Sequence, residues 1–295
     1  MLKSHGRYDF SPIVSRQQYS WKGGARIAMF FAVNVEQFPF GEGVGPELNP
    51  RQPPPDVLNY SYYDWGNRVG VWRLLELFDE YQIPATAFLN TAIYDHCPEV
   101  AAAFRARGDE FVGHGRTNAE RQSAMDPDTE LTLLREVYDR ISREEGTPPR
   151  GWMGPWVSES FVTPDLLHES GYRYTMDWMF DDQPIWMNVR TEGGRLLAIP
   201  YARPTSDMPM LHGSKHSASQ WADALIDQID EMVLQANRQP LVFNLSLHPY
   251  LMHAFRLRQL RRVLTHISKL QSQIWLTRPG EIFDHISGPG VGAGS

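Results

Sequence analysis

Three short apolar runs in this 295-residue chain each end in a residue able to move a proton or bind a metal. Ile27–Val33 runs into Asn34-Val35-Glu36, Asp109–Gly113 into His114, and Leu241–Leu247 into His248. Runs of this length and composition read as buried strands. Parallel α/β folds gather their catalytic side chains at the carboxyl ends of such strands. One carboxylate and two imidazoles at the same end of a sheet suit acid–base work. Glu36, alone or with a metal, would deprotonate or position water, His248 would protonate a leaving nitrogen, and His114 would bind metal or polarise a carbonyl. Asn34 and Glu36 are two residues apart, so on an extended strand they share a face. The plain alternatives are structural histidines and an Asn34–Glu36 pair that only caps the next segment. The coincidence at three strand ends favours an enzyme.

Other residues are weaker candidates. Asp177, after the strand pattern around Tyr174, suits substrate binding or the orientation of a histidine, and equally suits ordinary turn chemistry. Trp152 and Trp156 read as a pocket wall covering a flat ring, or as core packing. His253 and Cys97 carry less: a lone His in a loop and a Cys at a helix start are usually structural.

Strands expected at 26–33, 85–90, 110–113, 150–153, 173–177, 195–200, 241–247 and 273–276 would hold these residues. Helical patterns fall near 66–82, 98–108, 127–145, 163–171, 219–238, 255–270 and 279–286. Val69, Val71, Trp72, Leu74, Leu75, Phe78 and Tyr81 form an apolar stripe at helical spacing. Asp126-Pro127 supplies a cap and a first-turn proline. Alternation with short links implies parallel strands and right-handed crossovers. The fold class is α/β, a distorted (β/α) barrel of seven or eight strands preferred over an open sheet. It is organised as an N-terminal arm (1–25), one barrel domain (26–287) and a Gly-rich flexible tail (288–295). Two long irregular segments, 37–63 and 205–219, read as lids or partner contacts.

A formal charge of −7 argues against a nucleic-acid partner. The basic cluster Arg256, Arg258, Arg261, Arg262 reads as a solvated helix face. No run approaches the ~18 apolar residues of a membrane span, and the N-terminus lacks the apolar core of a secretory signal. With a single cysteine there is no disulfide framework. The cytoplasm is the expected compartment and a small molecule the expected partner.

The motifs also carry a resemblance. Asn34-Val35-Glu36, His114-Gly115-Arg116-Thr117-Asn118, Arg150-Gly151-Trp152-Met153-Gly154-Pro155, Asp177-Trp178 and Leu245-Ser246-Leu247-His248 stand in the order of the polysaccharide deacetylase superfamily, over roughly residues 25–285. Tyr63-Asp64-Trp65-Gly66-Asn67-Arg68-Val69-Gly70, His114-Gly115, Asn-x-Glu in place of paired Asp, and Pro200-Tyr201 followed by Asp207-Met208 resemble its ureide and cyclic-amide branch, which includes allantoinases. The resemblance implies a distorted barrel that hydrolyses a non-peptide C–N bond in a small amide, ureide or cyclic imide. It also implies a homo-oligomer. Asn34 and Asn118 would then meet the donor–acceptor edge of the substrate, and Arg68 would help close the site or bind a negative substituent. The sugar deacetylases of the superfamily hold a divalent metal with Asp and two His. Here the second His is Asn118, a poor zinc ligand. One zinc ion on Glu36, His114 and a further ligand therefore has an incomplete set. The competing expectations are a carbohydrate de-N-acetylase with an altered metal site and a degenerate ligand-binding member.

Overall fold

Strand β1, Ile27–Val35, is buried along its whole length, because helices and the other strands cover both of its faces. That is what a continuous apolar run predicts for a parallel sheet. A computed structural model describes residues 4–41 and 45–288. The remaining strands are β2 Ala85–Leu89, β3 Glu110–Gly113, β4 Gly151–Trp152, β5 Tyr174–Thr175, β6 Ile185–Asn188, β7 Arg195–Ala198, β8 Leu241–Leu247 and β9 Ile274–Thr277. Eight of them form the path β6-β7-β5-β4-β3-β2-β1-β8, and β9 joins the N-terminal half of β1. All pairings are parallel except β6 with β7.

The distorted barrel expected from the sequence is therefore present, with two differences. The strands at 150–153 and 173–177 shrink to two residues each. An antiparallel strand, β6, appears where the sequence read as loop, because Ile185–Asn188 is short and follows the turn-like Asp181-Asp182-Gln183-Pro184. Among the described residues no ladder closes the sheet between its two ends. Val242 N donates instead to Asp182 O at 2.8 Å, the Ala202 amide to the Asn244 side chain, and the Tyr201 hydroxyl to Ser246.

The period-two alternation of strands divides the core into two layers. Phe30, Ala32, Phe88, Val112, Met153, Tyr174, Leu197 and Val242 fill the barrel interior. Met29, Phe31, Val33, Trp152, Tyr172, Phe243 and Leu245 pack outward against the helices. The helix Pro127–Glu145 matches its expected bounds, with Asp126 accepting hydrogen bonds from the Asp128 and Thr129 amides. Both irregular segments contain unexpected helical structure. Helix Val57–Trp65 leads into a π-helical turn at Gly66–Gly70, and a second wide turn spans Met208–Gly213.

The N-terminal arm folds onto the barrel rather than standing off it. Arg7 forms a two-pronged pair with Asp165, Arg16 pairs with Asp181, and Trp21 is buried with its indole N–H on Leu241 O. The aromatic stretch 60–65 also turns inward: Tyr63 stacks on Phe38 and Trp65 on His253. The expected tail, 288–295, lies outside the described residues apart from Gly288. Among the described residues no helix is long and apolar enough to cross a membrane.

Candidate active site

Side-chain parity brings the three strand-end residues together. Asn34 and Glu36 continue the interior face set by Phe30 and Ala32, His114 continues that of Val112, and His248 that of Asn244 and Ser246. All line one cavity of about 550 Å³ at the carboxyl end of the sheet. Glu36 Oε1 stands 3.6 Å from His114 Nε2 and 3.6 Å from His248 Nε2. The expected convergence of Glu36, His114 and His248 is present.

Each group is held by partners that fix its chemistry. His114 donates from Nδ1 to Met153 O at 2.5 Å, which leaves a lone pair on Nε2 facing Glu36 in the neutral ring. That buried Nε2 has no hydrogen-bond partner among the described residues. Gly115 follows at φ +76°, and an added Cβ would stand 2.8 Å from Pro155, so the sharp turn after His114 needs glycine here. His248 Nδ1 bonds Asp207 Oδ1 at 2.7 Å, while the His248 backbone N–H donates to Asp207 Oδ2 at 2.6 Å. Burial pulls the His248 imidazolium down, but the Asp207 and Glu36 carboxylates outweigh it and hold its pKa above the ordinary value. Tyr250 donates its hydroxyl to Glu36 Oε2 at 2.9 Å. Burial, with Glu36 beside it, drives the Tyr250 pKa well upward, so it stays a donor.

Asp207 and Tyr250 were not among the residues chosen from sequence. Tyr250 sits two positions past His248 and was within reach of the same strand-end argument. Asp207 lies in the irregular 205–219 segment, and only its meeting with His248 gives it a role. Asn90, at the end of β2, is a third positioning group. Its Oδ1 accepts from Gln37 N at 2.9 Å and its amide nitrogen binds the His114 carbonyl.

The expected substrate-binding residues divide. Asn34 lines the cavity, but its amide nitrogen is already spent on Ser246 Oγ at 2.8 Å and Leu247 O at 3.1 Å, leaving only Oδ1 to offer. Asn118 lines the cavity with a buried Oδ1 that has no partner among the described residues. Trp156 lines it too, with its indole N–H on Asn118 O at 2.8 Å. Trp156 and Val157 both have positive φ, 64° and 57°. Two consecutive left-handed L-residues, one of them β-branched, cost roughly 1–2 kcal/mol each, a strain of the kind stored at functional sites.

Three expectations are corrected. Trp152 does not cover a ring. It pairs in register with outward-facing Gly113, is fully buried against Tyr172, and donates to Gln122 Oε1. Arg68 does not reach the cavity: its side chain is 74% exposed and bonded to Asp64 one helical turn away. The segment around it acts differently. An added Cβ on Gly66 would meet Tyr250 N at 2.8 Å, and one on Gly70 would meet Pro249 O at 2.1 Å. Asn67 Nδ2 donates to Glu36 O at 2.9 Å. The Gly66–Gly70 turn thus presses against the His248–Tyr250 loop and tethers Glu36. Asp177 does not touch the cavity either. It accepts from Gly154 N at 2.8 Å and so anchors the loop that carries Trp156. Burial holds the Asp177 and Glu159 carboxyls above their usual range, and the Asp177 charge adds to the rise at Glu159.

A divalent metal finds only part of a ligand set. Glu36 Oε1 and His114 Nε2 are spaced like two ligands, and Asn118 offers only a neutral amide oxygen. His248 is committed to Asp207 through Nδ1 only, and its Nε2 faces Glu36 Oε1 at 3.6 Å. Among the described residues no three His, Cys, Asp or Glu side chains form a ligand group, whereas catalytic zinc takes three such protein ligands. The residues present do not fit the sugar-deacetylase metal triad.

The chain matches the polysaccharide deacetylase family over residues 51–175. It is 24% identical over 264 residues to a peptidoglycan deacetylase of Helicobacter pylori, covering 76% of this chain and 85% of that protein. Among solved structures it is similar to a probable polysaccharide deacetylase from Pseudomonas aeruginosa PAO1. That match has 28% identity and a TM-score of 0.81, over 90% of this chain and 92% of the other. It is similar also to Puue allantoinase, at 26% identity and a TM-score of 0.81, over 96% of this chain and 99% of the other. With the strand-end motifs converging on one cavity, these likenesses make the chain similar to the polysaccharide deacetylases and to their allantoinase-like branch.

Proposed function

We propose that this hydrolase of carbon–nitrogen bonds other than peptide bonds acts on a small, planar amide, ureide or cyclic imide. The observation that carries the reading is Glu36 flanked by two imidazole nitrogens, each at 3.6 Å, inside a cavity of about 550 Å³. Such a volume suits a small molecule, and Trp156 offers it a flat wall.

Glu36, steered by Tyr250, takes a proton from water as its oxygen attacks the carbonyl carbon. His114 Nε2, which has no hydrogen-bond partner among the described residues, is placed to meet that water or the substrate. Collapse of the tetrahedral intermediate breaks the C–N bond, and the nitrogen takes its proton from His248, which Asp207 orients. Asn34 Oδ1 and the Asn118 amide are placed to receive ureide or imide N–H groups. The reading carries with it a cytoplasmic setting and a small-molecule partner.

A second reading, carbohydrate de-N-acetylation, draws support from the family match and the peptidoglycan deacetylase relative. Against it stand Asn118 at the metal position and the segments around Pro46 and Met208 that wall the cavity. A degenerate ligand-binding member would hold Glu36 and His248 too far apart, or too buried, to meet a common substrate; here they stand 3.6 Å apart and both line the cavity.

The test is incubation with allantoin, simple cyclic imides and an N-acetylglucosamine oligomer. Ring opening is expected, and acetate release from the sugar alone would overturn the proposal. Glu36→Gln keeps the Tyr250 hydrogen bond and should lower kcat by about 10²–10⁴-fold; turnover within a few-fold of wild type would remove Glu36 from the mechanism.

A further inference from the structure

We infer that the substrate carries a carboxylate besides its scissile amide, held by Arg203 and Arg121 at the cavity mouth. The inference rests on the small-amide reading above and names the substrate class more closely.

The chain as a whole is acidic, at −7, yet three arginines line this cavity, Arg51, Arg121 and Arg203, against two acids, Glu36 and Glu47. Arg51 and Glu47 meet each other at 3.2 Å, so that pair brings no net charge. Glu36 is the catalytic base and already accepts from Tyr250. Arg121 and Arg203 have no carboxylate partner among the described residues. The neighbouring Arg116, by contrast, is satisfied by both Glu120 and Glu136.

Both free guanidinium groups belong to the site by more than proximity. Arg121 lies over the ring of Trp156, 4.5 Å from its centroid, and Trp156 is itself fixed by its bond to Asn118 and its left-handed backbone. That stacking holds the fork at the aromatic wall and leaves its N–H edge open. Arg203 stands just past β7, near enough that its charge lowers the His248 pKa against the pull of Asp207 and Glu36. The Arg203 charge opposes a protonated His248, and a substrate anion beside it relieves that effect. The planar fork of arginine matches a carboxylate, and the charge-assisted bonds it makes are among the strong ones. The same positive mouth on an acidic protein favours the approach of anions. A ureide or imide ring bearing a short carboxylate arm satisfies the amide-reading residues and these two arginines together.

The experiment compares hydantoin with hydantoin-5-acetate, by steady-state hydrolysis and by calorimetric binding, in wild type, Arg203→Gln and the Arg121→Gln/Arg203→Gln double variant. Both side chains are exposed, and unchanged thermal unfolding certifies the variants. Wild type should favour the carboxylated ring by about 10–100-fold in kcat/KM. That ratio should shrink with added salt and collapse towards unity in the double variant. Equal handling of the two rings by wild type, or a preference the variants leave intact, overturns the inference while the amide reading stands. Binding of the carboxylated ring without hydrolysis keeps the inference and overturns the amide reading. Failure of the carboxylated ring to bind at millimolar concentration overturns the inference outright.

Discussion

Replacing Gly70 by alanine should cost both stability and turnover, although the same change in an ordinary helix would help. Gly70 has helical angles, φ −62° and ψ −44°, so alanine meets no backbone penalty there. Gly→Ala at such a position normally stabilises by about 0.5–1 kcal/mol. Here the added Cβ would stand 2.1 Å from Pro249 O and 2.8 Å from Trp65 Cζ3. A carbon–oxygen contact settles near ~3.3 Å, so the two segments must separate by roughly 1 Å. Pro249 joins His248 to Tyr250, so the displaced atoms are those that set the acid and the clamp on Glu36. Overpacking of this kind costs about 1–3 kcal/mol, and a 1 Å misplacement at a reacting centre can cost ~10²-fold in rate. The assay is kcat on the best ring substrate beside thermal unfolding, with Gly213→Ala as control, since a Cβ there meets nothing nearer than 3.8 Å. A Gly70→Ala protein that melts higher and turns over like wild type would refute the buttress.

Further outcomes follow from the same geometry. Asp207→Asn removes a carboxylate that raises the His248 pKa. Because the acid must be protonated, the alkaline limb of the kcat/KM profile should move to lower pH; an unmoved limb would separate Asp207 from the acid. The same raised pKa stabilises the fold fully below the unfolded-state His value and loses that contribution as pH rises through the folded value. In the Asp207→Asn protein the His248 share of this neutral-to-alkaline loss should shrink, as read by chemical denaturation against pH. Trp152→Ala should destabilise by about 3–5 kcal/mol through the cavity it leaves, with soluble protein lost before any change in KM. Arg68→Ala breaks only an exposed pair, so kcat/KM should stay within about two-fold and stability within roughly 1 kcal/mol; a large rise in KM would restore Arg68 to the site.

The legible part of the site is the part written in strand ends. Apolar runs mark β1, β3 and β8, and the residue after each lies on the interior face. Trp152 was misread for want of register: β4 is two residues long, and only its pairing with Gly113 shows that the indole faces the helices. Arg68 carried a charge and a suggestive motif, but the motif's work is done by its glycines, through a close approach to a loop about 180 residues later in the chain. Asp207 stands in a motif the sequence shows, but its bond to His248 is not legible because a wide turn within an irregular segment has no periodicity to read. Strand β6 was hidden because an antiparallel hairpin departs from the strand–helix rhythm. Charge and spacing report on a residue's own element. They do not report on which distant backbone that element touches.

The unladdered gap between the ends of the sheet has a mechanical consequence. Asp207 follows β7 and His248 follows β8, so the hydrogen bond that orients the acid also spans the opening. With Val242–Asp182, Ala202–Asn244 and Tyr201–Ser246, it is one stitch of a short suture. A ladder spreads strain over many equivalent rungs, whereas a suture concentrates it on a few. At this edge rigidity and reactivity share the same atoms, and a substitution that loosens the suture also loosens the acid.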